Sequence, residues 1–216
     1  PDKNPAYNFK EDWRTHACTP GYAIQLTKGQ YAGRLYIAAN HSQGTPQAKF
    51  NDNRAQAFYS DDHGKTWQMG GSVQNGTNEC EVAELDDGTV YINCRNYVGD
   101  KRRASALSKD GGNSFEAFRR EETLVEPICQ ASVIALGEQT LVFANPASTS
   151  RENLTVRFSP DNAQTCSVGN LLHQGPAAYS DLVVQANGQI GCLYECGEET
   201  PYDRLVYAQF DAAWIR

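Results

Sequence analysis

No stretch of this sequence is apolar for long enough to cross a bilayer as a helix, which takes about 20 residues. No basic run interrupts a formal net charge of −7, so a nucleic-acid partner is not expected. That balance leaves an acidic substrate open, because a local arginine cluster outvotes the average. Helical periodicity is unconvincing everywhere. The opening "PDKNPAYNFKEDW" has no leader-like apolar core and reads like the interior of a longer sequence. Cysteine occurs seven times, an odd number that excludes a complete set of intrachain disulfides. Cys192 and Cys196 are close neighbours, but no second ligand pair completes a zinc pattern. The cysteines read as small buried strand residues.

What the chain has instead is repetition. "SDDHGKTW" begins at Ser60, "SKDGGNSF" at Ser108 and "SPDNAQTC" at Ser159, about fifty residues apart. In a β-rich sequence that period indicates a propeller. Strand signals separated by turn chemistry agree: "CEVAEL", "TVYINCR", "RASALS" and "FEAF" make one four-stranded blade. Blades are predicted at about 18–72, 79–118, 129–173 and 179–214, within a single domain over 1–216. Each box falls between a third and a fourth strand. Ser60, Asp62, Gly64, Thr66 and Trp67 form the first; Ser108, Asp110, Gly112, Ser114 and Phe115 the second; Ser159, Asp161 and Thr165 the third. Asp and Ser oxygens bond nearby amides, Gly permits the turn, and the aromatic plugs the blade. The boxes are therefore expected to be fold staples. In the third, Ala163 replaces the glycine and Cys166 the aromatic.

Blade geometry places the start of a first strand and the end of a second at one rim, with the boxes at the other. Glu79 and Tyr179 open first strands; Arg95, Arg151 and Glu195 end or follow second strands. Taken singly, each reads as a surface ion pair or a packing residue. Together they are expected to converge on one mouth near the axis.

At these residues the chain resembles the sialidase (exo-α-sialidase, neuraminidase) family, a six-bladed propeller with Asp boxes. "NECEVAELDDGTVYINCRN" is similar to the segment with a catalytic Glu and an Arg of the arginine triad, which map to Glu79 and Arg95. "FANPASTSRENLTVRFS" resembles the segment of another triad Arg, here Arg151. "AYSDL" resembles the segment of the tyrosine nucleophile, here Tyr179; "GCLYE" that of a Glu bracing a triad Arg, here Glu195. "PICQAS" also resembles a family segment, and its Gln130 is expected to contact substrate. The family's Arg-Ile-Pro segment, with the first triad Arg, and its general-acid Asp have no counterpart here; Arg14 sits in "WRTH". Six blades need roughly 300 residues; these 216 supply about four. The expected fold is thus all-β, a β-propeller of the six-bladed sialidase type, present as about four blades. The chain reads as the C-terminal two-thirds of the catalytic domain, with the other blades supplied by the same precursor or by another chain.

The resemblance implies a retaining exo-α-sialidase acting on terminal sialic acids of sialylated glycans, impaired as an isolated chain, in a secreted, periplasmic or cell-surface setting. Paired arginines suit the sugar's carboxylate, because guanidinium is always charged and bonds carboxylates in a planar fork. That carboxylate would repel a carboxylate nucleophile; a neutral tyrosine avoids the clash. A tyrosine needs a base beside it, and Glu79 is the candidate. This chemistry requires no metal or organic cofactor. A trans-sialidase, a non-catalytic sialic-acid-binding propeller and a purely structural Asp-box propeller remain as alternatives.

Overall fold

The first strand of the chain is broken in two at Pro20–Gly21, and both parts pair with the same neighbour. The structure, a computed structural model, describes residues 13–215; the reading of the opening stretch as interior sequence lies, for residues 1–12, outside the described residues. β1 (Trp13–Cys18) and β2 (Ile24–Gln25) flank one edge of β3 (Leu35–Gln43), followed by β4 (Asn53–Ser60) and β5 (Gln68–Ser72). The polar segment "WRTHAC" was not foreseen as a strand. It is held to β3 by the register Cys18↔Ala39 through Thr15↔Ser42, and Arg14 pairs with Asp52.

The second sheet runs β6 (Thr77–Glu84), β7 (Val90–Asn96), β8 (Arg102–Ser108) and β9 (Glu116–Val125) in chain order. The rest form one six-stranded sheet: β10 (Ser132–Gly137), β11 (Thr140–Pro146), β12 (Glu152–Ser159), β13 (Asn170–Val184), β14 (Ile190–Cys196) and β15 (Arg204–Phe210). β13 closes the third blade with its first half and opens the last with its second, so no loop separates those blades. All pairings are antiparallel. A short helix, α1 (Ala212–Ile215), ends the described chain.

Apolar side chains fill the spaces between blades. Tyr36, Ala38, Ala57, Val82, Ile92 and Ala106 pack the first interface. Ala83, Tyr91, Val133, Leu141 and Phe143 pack the second, and Val142, Ala144, Leu182, Ile190 and Cys192 the third. The many alanines let sheets approach closely, as face-to-face sheets with a twisted stagger require. Cys80, Cys94, Cys129, Cys192 and Cys196 are buried, Cys166 is intermediate and Cys18 is exposed; all are free thiols. One face of the last blade is open: Leu193, Leu205 and Tyr207 are 45, 68 and 52 % exposed.

The boxes lie where the third strand turns into the fourth. In each, the serine hydroxyl accepts the amide four residues on, at 2.8 Å in Gly64, 2.7 Å in Gly112 and 2.9 Å in Ala163. The aspartates Asp62, Asp110 and Asp161 accept the amide and hydroxyl of Thr66, Ser114 and Thr165. The Thr66 bonds hold the Asp62 carboxyl down to about 2. The third box keeps these bonds because Ala163 adopts the left-handed backbone, φ 64°, that glycine takes elsewhere. Gly112 is needed for space as well: a Cβ there would lie 2.0 Å from the Tyr36 ring. The aromatic plug is incomplete in the first box, where Trp67 is 44 % exposed and meets Phe58 edge to face at 5.3 Å.

Candidate active site

Glu79 and Tyr179 occupy the same position in two blades, and a bulge creates it each time. Thr77 pairs with Asn96 and Cys80 with Cys94, so Asn78 and Glu79 together oppose Arg95. Ala177 pairs with Cys196 and Ser180 with Tyr194, so Ala178 and Tyr179 together oppose Glu195. An extra residue in one strand bends it and re-aims a side chain, as bulges beside functional sites do. Val90, at the start of β7, pairs with box residue Ser108, while Arg95 lies near the other end. The boxes and this cluster are thus separated by the length of a strand, about 15–20 Å.

The bulged residues meet between blades. The Tyr179 hydroxyl donates to Glu79 Oε1 at 2.5 Å. Arg95 Nη1 donates to Glu79 Oε2 at 2.7 Å and to the Tyr179 hydroxyl oxygen at 3.3 Å. The Arg95 and Glu79 side chains are 14 and 15 % exposed, so water screens the pair only partly. Arg151, on the loop after β11, has its guanidinium carbon 5.6 Å from the Tyr179 ring centre and donates to the Tyr202 hydroxyl. Two guanidinium groups therefore flank one phenol.

Burial, then the bond to Glu79 and its charge, push the Tyr179 phenol well above the ordinary tyrosine range; Arg95 opposes this. The tyrosine rests protonated, with an acceptor for its proton in contact. For Arg95, burial disfavours the charge, but the Glu79 bond and charge outweigh it and the pKa stands above its ordinary value. Arg151 is likewise raised despite burial, through Cys129, Tyr202 and Tyr179.

Gln130 and Glu195 find their partners inside the protein. Gln130 is 1 % exposed, and its carboxamide bonds Ser180 and Glu81 within the protein. Both amide hydrogens are engaged within the protein, and the residue lines the small cavity beside Tyr179 and Glu195. Glu195 forms no ion pair among the described residues; it accepts the Tyr179 backbone N–H at 3.1 Å. Four contributors went unnoticed in the sequence. Tyr202 comes from the turn before β15, and Tyr97 lies beneath Arg95 with a ring-to-guanidinium distance of 4.9 Å. Behind them, buried Arg103 pairs with Glu126 at 2.9 Å, and Glu126 accepts the Asn96 N–H at 2.7 Å, fixing the backbone beside Arg95.

A cavity of about 140 Å³ touches Tyr179, Glu195, Pro20 and Leu205. It is smaller than a typical ligand pocket of about 300 Å³ or more. A larger cavity of about 610 Å³, lined by Tyr22, Ala83, Ile134 and Leu182, follows the axis and touches none of the five rim residues.

A succession of antiparallel β-blades with Asp boxes on one rim and an arginine–glutamate–tyrosine cluster on the other is a sialidase-type propeller fold. The sequence matches the BNR repeat-like domain family over residues 3–192. The chain belongs to the sialidase family with BNR repeats. It is 35 % identical over 213 residues to the sialidase of Micromonospora viridifaciens, covering 94 % of this chain and 31 % of that one. Sialidase-2 of Cricetulus griseus is 34 % identical over 222 residues, covering 93 and 57 %. Among solved structures, Hadza microbial sialidase Hz136 superposes with a TM-score of 0.79 at 26 % identity, covering 95 and 39 %. The chain thus spans less than three-fifths of each of these relatives.

Proposed function

We propose that this chain carries the nucleophilic half of a retaining exo-α-sialidase site. The observation that carries the reading is the Tyr179–Glu79 bond of 2.5 Å, with Arg95 bonded to both partners. Arg95 and Arg151 would hold the substrate carboxylate and orient the sugar. Tyr179 Oη would then bond the anomeric carbon as the glycosidic C–O bond breaks, its proton passing to Glu79. The leaving oxygen takes a proton from an acid that these residues do not supply. Water then attacks the sialyl-tyrosine, releasing the sugar; its proton passes to that acid's conjugate base while Glu79 reprotonates Tyr179. Two inversions give retention.

The acid, a third arginine and a cation for Glu195 are assigned to further blades from the same precursor or another chain. The open face of Leu193, Leu205 and Tyr207 is where we place such a blade. Hydrolysis of a fluorogenic α-sialoside, by this chain and by Tyr179→Phe, tests the proposal. Turnover that survives Tyr179→Phe overturns it.

A further inference from the structure

The innermost strand of each blade has an edge with no strand beside it, and its amides need other partners. In the last blade that strand is the second half of β13, which carries Tyr179. Two side chains from the start of β10 take the place of a neighbouring strand. The Gln130 carboxamide meets both backbone groups of Ser180, accepting its N–H at 3.0 Å and donating to its carbonyl at 2.8 Å. Two residues on, and so on the same side of an extended chain, the Ser132 hydroxyl oxygen accepts the Leu182 N–H at 2.9 Å.

One carboxyl group holds both clamps. Glu81 is 1 % exposed. Its Oε1 accepts from Gln130 Nε2 at 3.2 Å; its Oε2 accepts the Ser132 hydroxyl at 2.8 Å and the Val133 N–H at 3.0 Å. From the first blade, Gly21 lies so close that an added Cβ would be 2.0 Å from Oε1. A single side chain of the second blade therefore touches the first and third, and reaches the last through Gln130 and Ser132. Glu81 has no cationic partner among the described ion pairs. These hydrogen bonds, with the charge of Arg103, offset part of the cost of burying it.

We propose that Glu81 is a positioning residue for Tyr179: through Gln130 and Ser132 it fixes the backbone just beyond the tyrosine, as Glu195 fixes the tyrosine's own N–H. The catalytic meaning rests on reading Tyr179 as the nucleophile; the mechanical claim does not. A displacement of about 1 Å at a reacting group costs about a hundredfold in rate, so a bulged strand with one unpaired edge needs such bracing.

Glu81→Gln separates this role from general stabilisation. The new amide must turn its oxygen to Ser132 and Val133, because the Val133 N–H can only donate. Its NH2 then faces Gln130 Nε2, donor against donor, so the Ser180 clamp fails while the Leu182 clamp holds. In the 216-residue chain, amide exchange followed by NMR is expected to quicken about tenfold or more at Ser180 and to stay unchanged at Leu182. The ring 13Cζ resonance of Tyr179, assigned with Tyr179→Phe, is expected to shift. Gln130→Ala should reproduce the Ser180 effect, and it decides the matter if Glu81→Gln does not fold. Unchanged Ser180 exchange with an unmoved Tyr179 resonance overturns the proposal. So does exchange that quickens equally along all of β10 and β13. Turnover retained by Tyr179→Phe would instead sink the nucleophile reading and leave these exchange results standing.

Discussion

The hydroxyl of Tyr179 and the carboxylate of Glu79 are 100 residues apart in sequence and 2.5 Å apart in space, each delivered by a bulge at the same place in its blade. The raised phenol pKa means that the tyrosine is inert until its proton has somewhere to go. Removing either partner should therefore stop the same step. Tyr179→Phe is expected to abolish turnover of an α-sialoside. Glu79→Gln should lower kcat by roughly 10²–10⁴-fold, the usual worth of a positioned base. Both variants should keep the wild-type circular dichroism spectrum and bind sialic acid.

Arginine geometry gives a second expectation. Lysine keeps the charge of Arg95 but loses the planar guanidinium, of which Nη1 alone donates to Glu79 and Tyr179. Arg95→Lys and Arg151→Lys should each weaken sialic acid binding by about ten- to a hundredfold in calorimetry. Equal affinity in both would remove the carboxylate-clamp assignment.

The boxes should behave as staples. Asp110→Ala removes the acceptor for the Ser108 hydroxyl and for the amide and hydroxyl of Ser114. It should cost about 1–2 kcal/mol, lowering Tm by roughly 3–8 °C. Gly112→Ala drives a methyl group into Tyr36 from a left-handed backbone and should cost more, roughly 3 kcal/mol. Neither should alter the affinity for sialic acid, because both lie at the far rim.

Acidity provides a fourth check. Burial pushes the Glu81 carboxyl up to about 8 from an ordinary 4.5; Asp181 adds to the shift, while Arg103 and the Ser132 and Val133 bonds oppose it. The folded chain holds this proton more tightly than the unfolded one. Stability should thus fall as pH rises from the ordinary value towards 8, by at most about 1.4 kcal/mol per unit. Asp110 and Asp161, held below 3.8 in the folded chain, weaken stability only as pH falls below that value. Tm should be higher at pH 5.5 than at pH 8, and Glu81→Gln should flatten that difference.

The Arg103–Glu126 pair is fully buried, at 0 and 1 % side-chain exposure. Glu126→Gln or Arg103→Met should each cost roughly 3–5 kcal/mol, because either leaves a buried partner without its counter-charge. Thermal or denaturant unfolding measures this. A loss below about 1 kcal/mol would show the pair to be dispensable.

The boxes and rim residues were legible because repetition aligned them: a strand-end arginine and a strand-start acid carry meaning once the blade is known. The bulges were not. A pattern of period two cannot reveal that Asn78 and Glu79 share one partner, since a slip of one residue leaves the composition of the segment unchanged. "WRTHAC" was missed because its side chains, from Thr15 to Cys18 exposed, lack alternation. Nothing in "CEVAEL" or "RASALS" marks Glu81 and Arg103 as buried, yet both are, satisfied by partners at the start of the next blade and in the segment leading to it. Gln130 lies in the expected neighbourhood, with its carboxamide bonded to Ser180 and Glu81. Tyr202 arrives from a turn whose letters carry no catalytic signal.

Where Glu84 accepts the amides of Thr27 and Lys28, and Ser132 that of Leu182, neighbouring blades are joined by side chains as well as by backbone. A ladder is indifferent to sequence, whereas these joints are not. A blade grafted in from another repeat would bring its own internal pairing but would leave donors unanswered on its neighbour. The repeats are thus alike in architecture and non-interchangeable as parts, and duplication of one blade over another would yield a misfit.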